Sequence, residues 1–248
     1  MLLDKNSNVG KTLCFMAEAG IPFKRHGEIT HWHGGKVHPD DREDKYFQEI
    51  APRFRDTYPG LRTIHAHIST AAGAEHMEMY GDPDSYVCEI TSHHLMLDHH
   101  ALYDGNFIVV DHHCAPNLKN YPNWSRVRKL VADRRKFVMA ASDMADHPTD
   151  RKYAFCAFGG FFTYHCALEL YVQALVELNA IDFVDDFLYG NAKRFFGRLV
   201  PNNPPLIRLV RDPWTVTDRL YLGGALHTPF GFHPDPAKRF QFQYKIAA

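Results

Sequence analysis

The chain has 248 residues, 45% hydrophobic and 23% charged, with a formal net charge of −1. This composition excludes a disordered chain, and the neutral balance lacks the basic excess of a nucleic-acid binder. No apolar run approaches the roughly 20 residues of a membrane span, and Met1-Leu2-Leu3-Asp4-Lys5 opens no signal peptide, so a cytoplasmic or nuclear location is expected.

In chain order, residues 1–24 read as an N-terminal arm or short helix ending at Gly20-Ile21-Pro22, and residues 25–200 as a globular core. Residues 25–40 are rich in Gly and His and read as strand or loop. Asp40 to Tyr58 predicts a helix, with Tyr46, Phe47, Ile50 and Phe54 at three- and four-residue spacing and Pro52 splitting it. Residues 61–70 alternate as a strand, with Ile64, Ala66 and Ile68 on one face and His65 and His67 on the other; residues 85–98 alternate weakly. Asp104-Gly105 predicts a hairpin turn within 102–110.

After Pro122 a helix is expected to run to about Met144, capped by Asn123 or Ser125. A long buried helix is expected over 161–189. Residues 201–248 carry Pro201, Pro204, Pro205, Pro213, Pro229, Pro234 and Pro236 among many aromatic rings. They read as an extended arm that must bury its rings against something, with 212–248 and also 1–24 suited to docking on a neighbouring molecule. The expected class is therefore α+β: a helix-dominated C-terminal half, a small antiparallel hairpin region and an extended aromatic arm.

Twelve of the seventeen histidines fall between His31 and His113. His65-Ala66-His67 is an HxH pair whose imidazoles, on a strand, would share a face and chelate one ion. With His93, His94 and a carboxylate such as Asp98, it offers a ligand set for a divalent metal such as zinc or iron. His99-His100-Ala101-Leu102-Tyr103-Asp104-Gly105 reads HHxxxDG. It resembles the motif of chloramphenicol acetyltransferases and peptide-synthetase condensation domains, a resemblance that implies His100 as general base and Asp104 as a structural aspartate. Val110-Asp111-His112-His113-Cys114 contains the strings DHH and DHHC, without the Asp-rich motif or the Cys-rich membrane context of the families that use them. The five cysteines form no CxxC pair, and their odd number leaves Cys14, near a terminus, as the expected intermolecular disulfide partner.

Two functions follow. The near-zero charge, the aromatic arm and the odd cysteine suit a protein that assembles with itself. In size and whole-chain character it resembles the polyhedrins, the occlusion-body proteins of insect viruses. That resemblance implies a structural, non-enzymatic protein without cofactor, packed with its own copies around virions in a lattice that dissolves in alkali. The alternative is a His-rich metalloenzyme, a hydrolase or oxygenase, centred on residues 65–113.

Overall fold

The computed structural model describes residues 2–247; positions 1 and 248, the outermost residues of the two expected arms, lie outside it. Its centre is a parallel sheet of four strands: β1 (Phe23–Arg25), β2 (Thr63–His65), β3 (Tyr86–Ile90) and β4 (Val138–Ala140). Their spatial order is their chain order, with Arg25 beside His65, His65 beside Cys88, and Cys88 beside Val138. Parallel neighbours need crossovers. Here they are helical: α1 (Asn8–Glu18) precedes β1, α2 (Arg42–Glu49) and α3 (Ala51–Thr57) join β1 to β2, and α4 (Ala71–Tyr80) joins β2 to β3. Between β3 and β4 come α5 (Ser92–Met96), a loop, and α6 (Tyr121–Ala132). Right-handed crossovers that always step the same way place their helices on one face, the arrangement of a β/α barrel.

The class is thus α/β, and the α+β expectation is corrected. The strands read as weak alternators because they have no wet face: every residue of β2 and β3 is buried. Parallel strands covered on both sides carry near-continuous apolar or satisfied residues, and period-two patterns fade. β4 was hidden inside the helix expected to reach Met144. That helix ends at Ala132, starts from the Asn120 cap with Pro122 in its first turn, and is followed by Phe137-Val138-Met139-Ala140. Pro52 does split the 40–58 segment, at Ile50. The long helix expected over 161–189 is shorter, Ala167–Glu177, and a wider turn over Asp186–Gly190 leads to a last helix at Asn191–Phe196.

Neither terminal segment is an arm. Leu2 and Leu3 pack with Leu13 against Phe54, Tyr58 and Leu61, and the Tyr58 hydroxyl donates to the Leu2 carbonyl at 3.0 Å. At the other end Trp214 stacks on Phe242 at 4.4 Å, and their backbones exchange two hydrogen bonds. Phe230 and Phe242 join Cys114, Leu118, Phe161, Cys166 and Leu170 in a second core. Prolines forbid a helix there without forbidding a fold, so the rings close on their own chain. Among the described residues no helix is long and apolar enough to cross a membrane.

Two predictions follow from this packing. Phe242 is fully buried, so Phe242→Ala should cost about 3–5 kcal/mol in urea unfolding; a loss under 1 kcal/mol would restore the arm. His76, buried under β2 beside Tyr86, is held near pKa 3 by burial and then by the charges of Arg25 and Arg55, against an ordinary 6.5. Below pH 6.5 the unfolded chain takes up a proton that the folded chain refuses until about pH 3. This residue's share of stability is therefore whole above pH 6.5 and is lost as pH falls, by about 1.4 kcal/mol per pH unit. His76→Gln should flatten the measured slope of unfolding free energy between pH 6 and pH 4 by that amount; an unchanged slope would contradict the assignment.

Candidate functional site

In β/α barrels the functional residues sit where the strands end, on the loops that follow. Each strand here delivers a polar group at that place: His26 one residue after β1, His67 two after β2, His93 and His94 after β3, and Asp143 three after β4.

His26 and His67 meet across the sheet, Nδ1 to Nε2, at 3.1 Å. The other nitrogen of His26, Nε2, lies 2.6 Å from Glu28 Oε2. Gly27 between them has no side chain because a Cβ there would stand 2.7 Å from the Tyr46 ring. Glu28 raises the His26 pKa, chiefly through that hydrogen bond, against the effect of burial. His67 is the reverse case: burial lowers its pKa, with Asp143 pulling the other way, and its Nδ1 has no partner. The loop after His67 is pinned by Glu43, a buried carboxylate that accepts from the Ser69 and Thr70 amides at 2.8 and 3.1 Å. Thr70 then caps α4. Glu43 thus fixes where His67 can stand.

The expected HxH chelate does not form. β2 ends at His65, and His67 takes a left-handed backbone, φ 37°, so alternation stops between them. His65 turns to the helical layer, stacking on Phe47 at 5.1 Å with its Nε2 3.2 Å from an Arg25 nitrogen. Asp98 is also elsewhere: it caps the turn His99–Leu102 and pairs with the His100 ring at 3.2 Å. Of the expected set, His67, His93 and His94 come near one another, each feeling another's charge, while His65 and Asp98 do not join them. The HHxxxDG residues make no catalytic pair either. His100 is exposed, and Asp104, in the Tyr103–Asp104/Phe107–Ile108 hairpin, pairs with Lys238 at 2.5 Å. Cys14 lies half-buried on α1 among Leu2, Val9 and Met16, and all five cysteines are free within the chain. Cys14 is the proposed intermolecular thiol only insofar as that partly covered face opens.

Sequence reasoning missed His26 and Asp143. The His26-Gly27-Glu28 triplet needed β1 to be seen first, and three residues are too few for a periodic signal. Asp143 was assigned to a helix that stops eleven residues before it. The signal that was available is the apolar run 137–140 between a basic turn and Ser142-Asp143.

Two imidazoles that meet, with the Asp143 carboxylate near enough to act on both, offer the donor types of a catalytic zinc site, which keeps a further position for water. With Zn–N near 2.0–2.1 Å, two imidazole ligands of a tetrahedral ion stand about 3.3 Å apart. The 3.1 Å between His26 and His67 fits that spacing, and Glu28 supplies the carboxylate that orients a ligating imidazole. Immediately downstream of Asp143, Ala145 and His147 line a cavity of about 740 Å³, in the range of small-ligand sites. Its walls mix Phe161, Phe162 and Phe230 with Asp111, Lys152, Tyr153 and Arg219. Lys152 is buried, donating to the carbonyls of His113 and Gly160 at 3.1 and 2.8 Å.

No protein-family model matches the chain. Its sequence is similar to dihydroorotases: that of Hahella chejuensis is 30% identical over 224 residues, which are 90% of this chain and 63% of that protein. The Klebsiella pneumoniae dihydroorotase is 31% identical over 215 residues, 87% of this chain and 60% of that one. Among solved structures, dihydroorotase from Campylobacter jejuni superposes with a TM-score of 0.82 at 21% identity, over 99% of this chain and 65% of that chain. D-hydantoinase from Thermus sp. gives 0.71 at 18%, over 95% and 57%. The fold is theirs, and the chain spans about three fifths of the length of the curated relatives it matches.

These findings overturn the polyhedrin resemblance and what it implied. A sequence similar to hydrolytic enzymes over nine tenths of its length, on their fold, is not a structural lattice or occlusion-body protein. The expectations of no enzyme and no cofactor fall with it, and the alternative reading of a His-rich metal-dependent hydrolase is the one the relatives favour. Of the strand-end residues, His67, His93 and His94 lie within 65–113, and His26 and Asp143 lie outside it.

The site makes one electrostatic prediction. Glu28→Gln removes the carboxylate that favours charged His26, so the His26 pKa read by NMR in metal-free protein should fall; an unchanged value would show that Glu28 does not act on it.

Proposed function

We propose that this chain is a metal-dependent cyclic-amide hydrolase of the dihydroorotase kind. The observation that carries the reading is the His26–His67 pair, with Asp143 close enough to bias the protonation of both and, two residues further on, Ala145 in the wall of a cavity of ligand size. His26 Nδ1, His67 Nε2 and the Asp143 carboxylate would hold a divalent cation such as zinc, whose chemistry is to polarise a ring carbonyl and acidify a water.

The chain's own groups do the rest. Glu28 accepts a hydrogen bond from the Nε2–H of His26, which leaves the Nδ1 lone pair aimed at His67. Asp143 is exposed at the end of β4, between the two imidazoles' field and the cavity lining at Ala145, where a carboxylate can take a proton from water and return it to the departing ring nitrogen. Phe161, Phe162 and Phe230 cover the flat faces of a small ring and keep bulk water away. Lys152 and Arg219 set the charge of that cavity. Arg219 Nε is buried without a partner, and the guanidinium lies 5.4 Å from the Phe232 ring. Of the cavity's charges, Lys238 is paired with Asp104 and Asp111 is held by the Tyr153 hydroxyl, so Lys152 and Arg219 remain to suit a ring that bears a carboxylate. A dihydroorotase structure from Saccharomyces cerevisiae holds such a ligand, 5-fluoroorotic acid.

Zinc-loaded protein should open the ring of dihydroorotate, and His67→Ala or Asp143→Ala should lower kcat/KM at least a hundredfold, about 2.7 kcal/mol of barrier. Arg219→Met should raise KM about tenfold for dihydroorotate and leave the neutral dihydrouracil unaffected. Protein that binds zinc and opens neither ring, or variants as active as the parent, would overturn the reading.

A further inference from the structure

A second group of donors lies deeper than the strand-end site. His93 and His94, on α5, and Cys114, in the loop before α6, are exposed by 1%, 3% and 2%. One ligand atom from each lies within 4.8 Å of the others. We propose that these three residues form a separate, buried site for a thiophilic cation of the zinc class.

His93 carries the argument. Both of its ring nitrogens are buried and neither has a hydrogen-bond partner. A neutral imidazole has one N–H to donate and one lone pair to fill, and leaving either unmet in a dry interior costs about 1–3 kcal/mol. Its ring is held face to face with Phe161 at 4.4 Å, so it cannot swing out to water without breaking that stack. An unmet imidazole locked beside a thiol and a second imidazole is what a vacant ligand looks like.

The other two donors are arranged to be exchanged for one ion. The Cys114 thiol and the Nε2 of His94 both reach the same acceptor, the Pro116 carbonyl, at 2.9 and 3.2 Å. The thiol and Nε2 are 4.0 Å apart. Sulfur and nitrogen on one tetrahedral zinc stand about 3.6 Å apart, so closure needs a few tenths of an ångström. On the far side of His94, Nδ1 lies 2.7 Å from Thr91 Oγ1. That hydroxyl can switch from donor to acceptor, so the Nε2 proton can move to Nδ1 when Nε2 becomes a ligand. The exchange balances: the cation enters, the Cys114 thiol proton leaves to solvent, and the two imidazoles remain neutral. A His₂Cys set selects thiophilic ions over magnesium or calcium. It differs in this from the His–His–carboxylate set at the strand ends, and it adjoins no described cavity of its own, so its role is to bind and brace α5 and the Cys114 loop.

The test uses the whole chain, stripped with chelator and reloaded with Zn²⁺ or Co²⁺, with Cys14 and Cys156 replaced by serine to silence the less buried thiols. Metal analysis should find one more equivalent than in the Cys114→Ser variant. Cobalt-loaded protein should show a thiolate-to-cobalt charge-transfer band that Cys114→Ser abolishes and His67→Ala leaves in place. Zinc X-ray absorption on the otherwise unaltered protein should show sulfur in the zinc shell, about half a neighbour per ion averaged over the two sites, a readout independent of whether Cys114→Ser folds. The proposal is overturned if absorption shows nitrogen and oxygen neighbours only, or if the band survives Cys114→Ser. Metal content unchanged in His67→Ala, with the sulfur signal intact, would count against the strand-end site alone.

Discussion

Everything at the candidate site depends on the parallel register of β1 with β2. Arg25 lies beside His65, and the Ala66 amide donates to the Arg25 carbonyl at 3.0 Å. That last rung sets how far past the sheet each chain runs before it turns. His26 and His67 can meet only because both strands end at the same level. A slip of one residue would turn every β2 side chain to the opposite face and carry the His67 imidazole out of reach. The Glu43 carboxylate, buried on α2, locks the result by gripping Ser69 and Thr70. A helix on one side of the sheet therefore holds the ligand geometry at its end.

The same sheet divides the histidines by face. Those turned to the helical layer, His65 and His76, are packed among Phe47, Tyr86 and Arg25 and are kept neutral by burial. Arg25 itself is buried, covered by the Phe54 ring at 3.9 Å and without a carboxylate partner, which further opposes charge on its neighbours. Of those past the strand ends, His26 and His67 meet acids: Glu28 and Asp143 act on His26, and Asp143 on His67. Density of histidine in the sequence is one observation with two physical causes, a core role below and an electrostatic role above.

This explains which parts of the account were legible. Long, periodic or punctuated features were readable: the break at Pro52, the hairpin near Asp104-Gly105, and the helix past Asn120. Strands of three residues are too short to show a period, so β1 and β4 were not seen, and His26 and Asp143 went with them. His67, His93 and His94 were found by residue type, but the HxH pattern misled because it assumed that the strand continued through His67. The aromatic tail announced burial that Phe230 and Phe242 meet in full, while Tyr221 stays exposed. Against what they are buried depends on Trp214 meeting Phe242 across twenty-eight residues, and spacing along a chain carries no such information.

The central claim is that the strand ends bind a cation. Anomalous diffraction at the zinc edge from crystals of the zinc-loaded protein addresses it without any assay or variant. The account predicts a peak between His26 Nδ1 and His67 Nε2, with the Asp143 carboxylate turned toward it. A map in which those two nitrogens still share a hydrogen bond and no anomalous peak lies between them would contradict it.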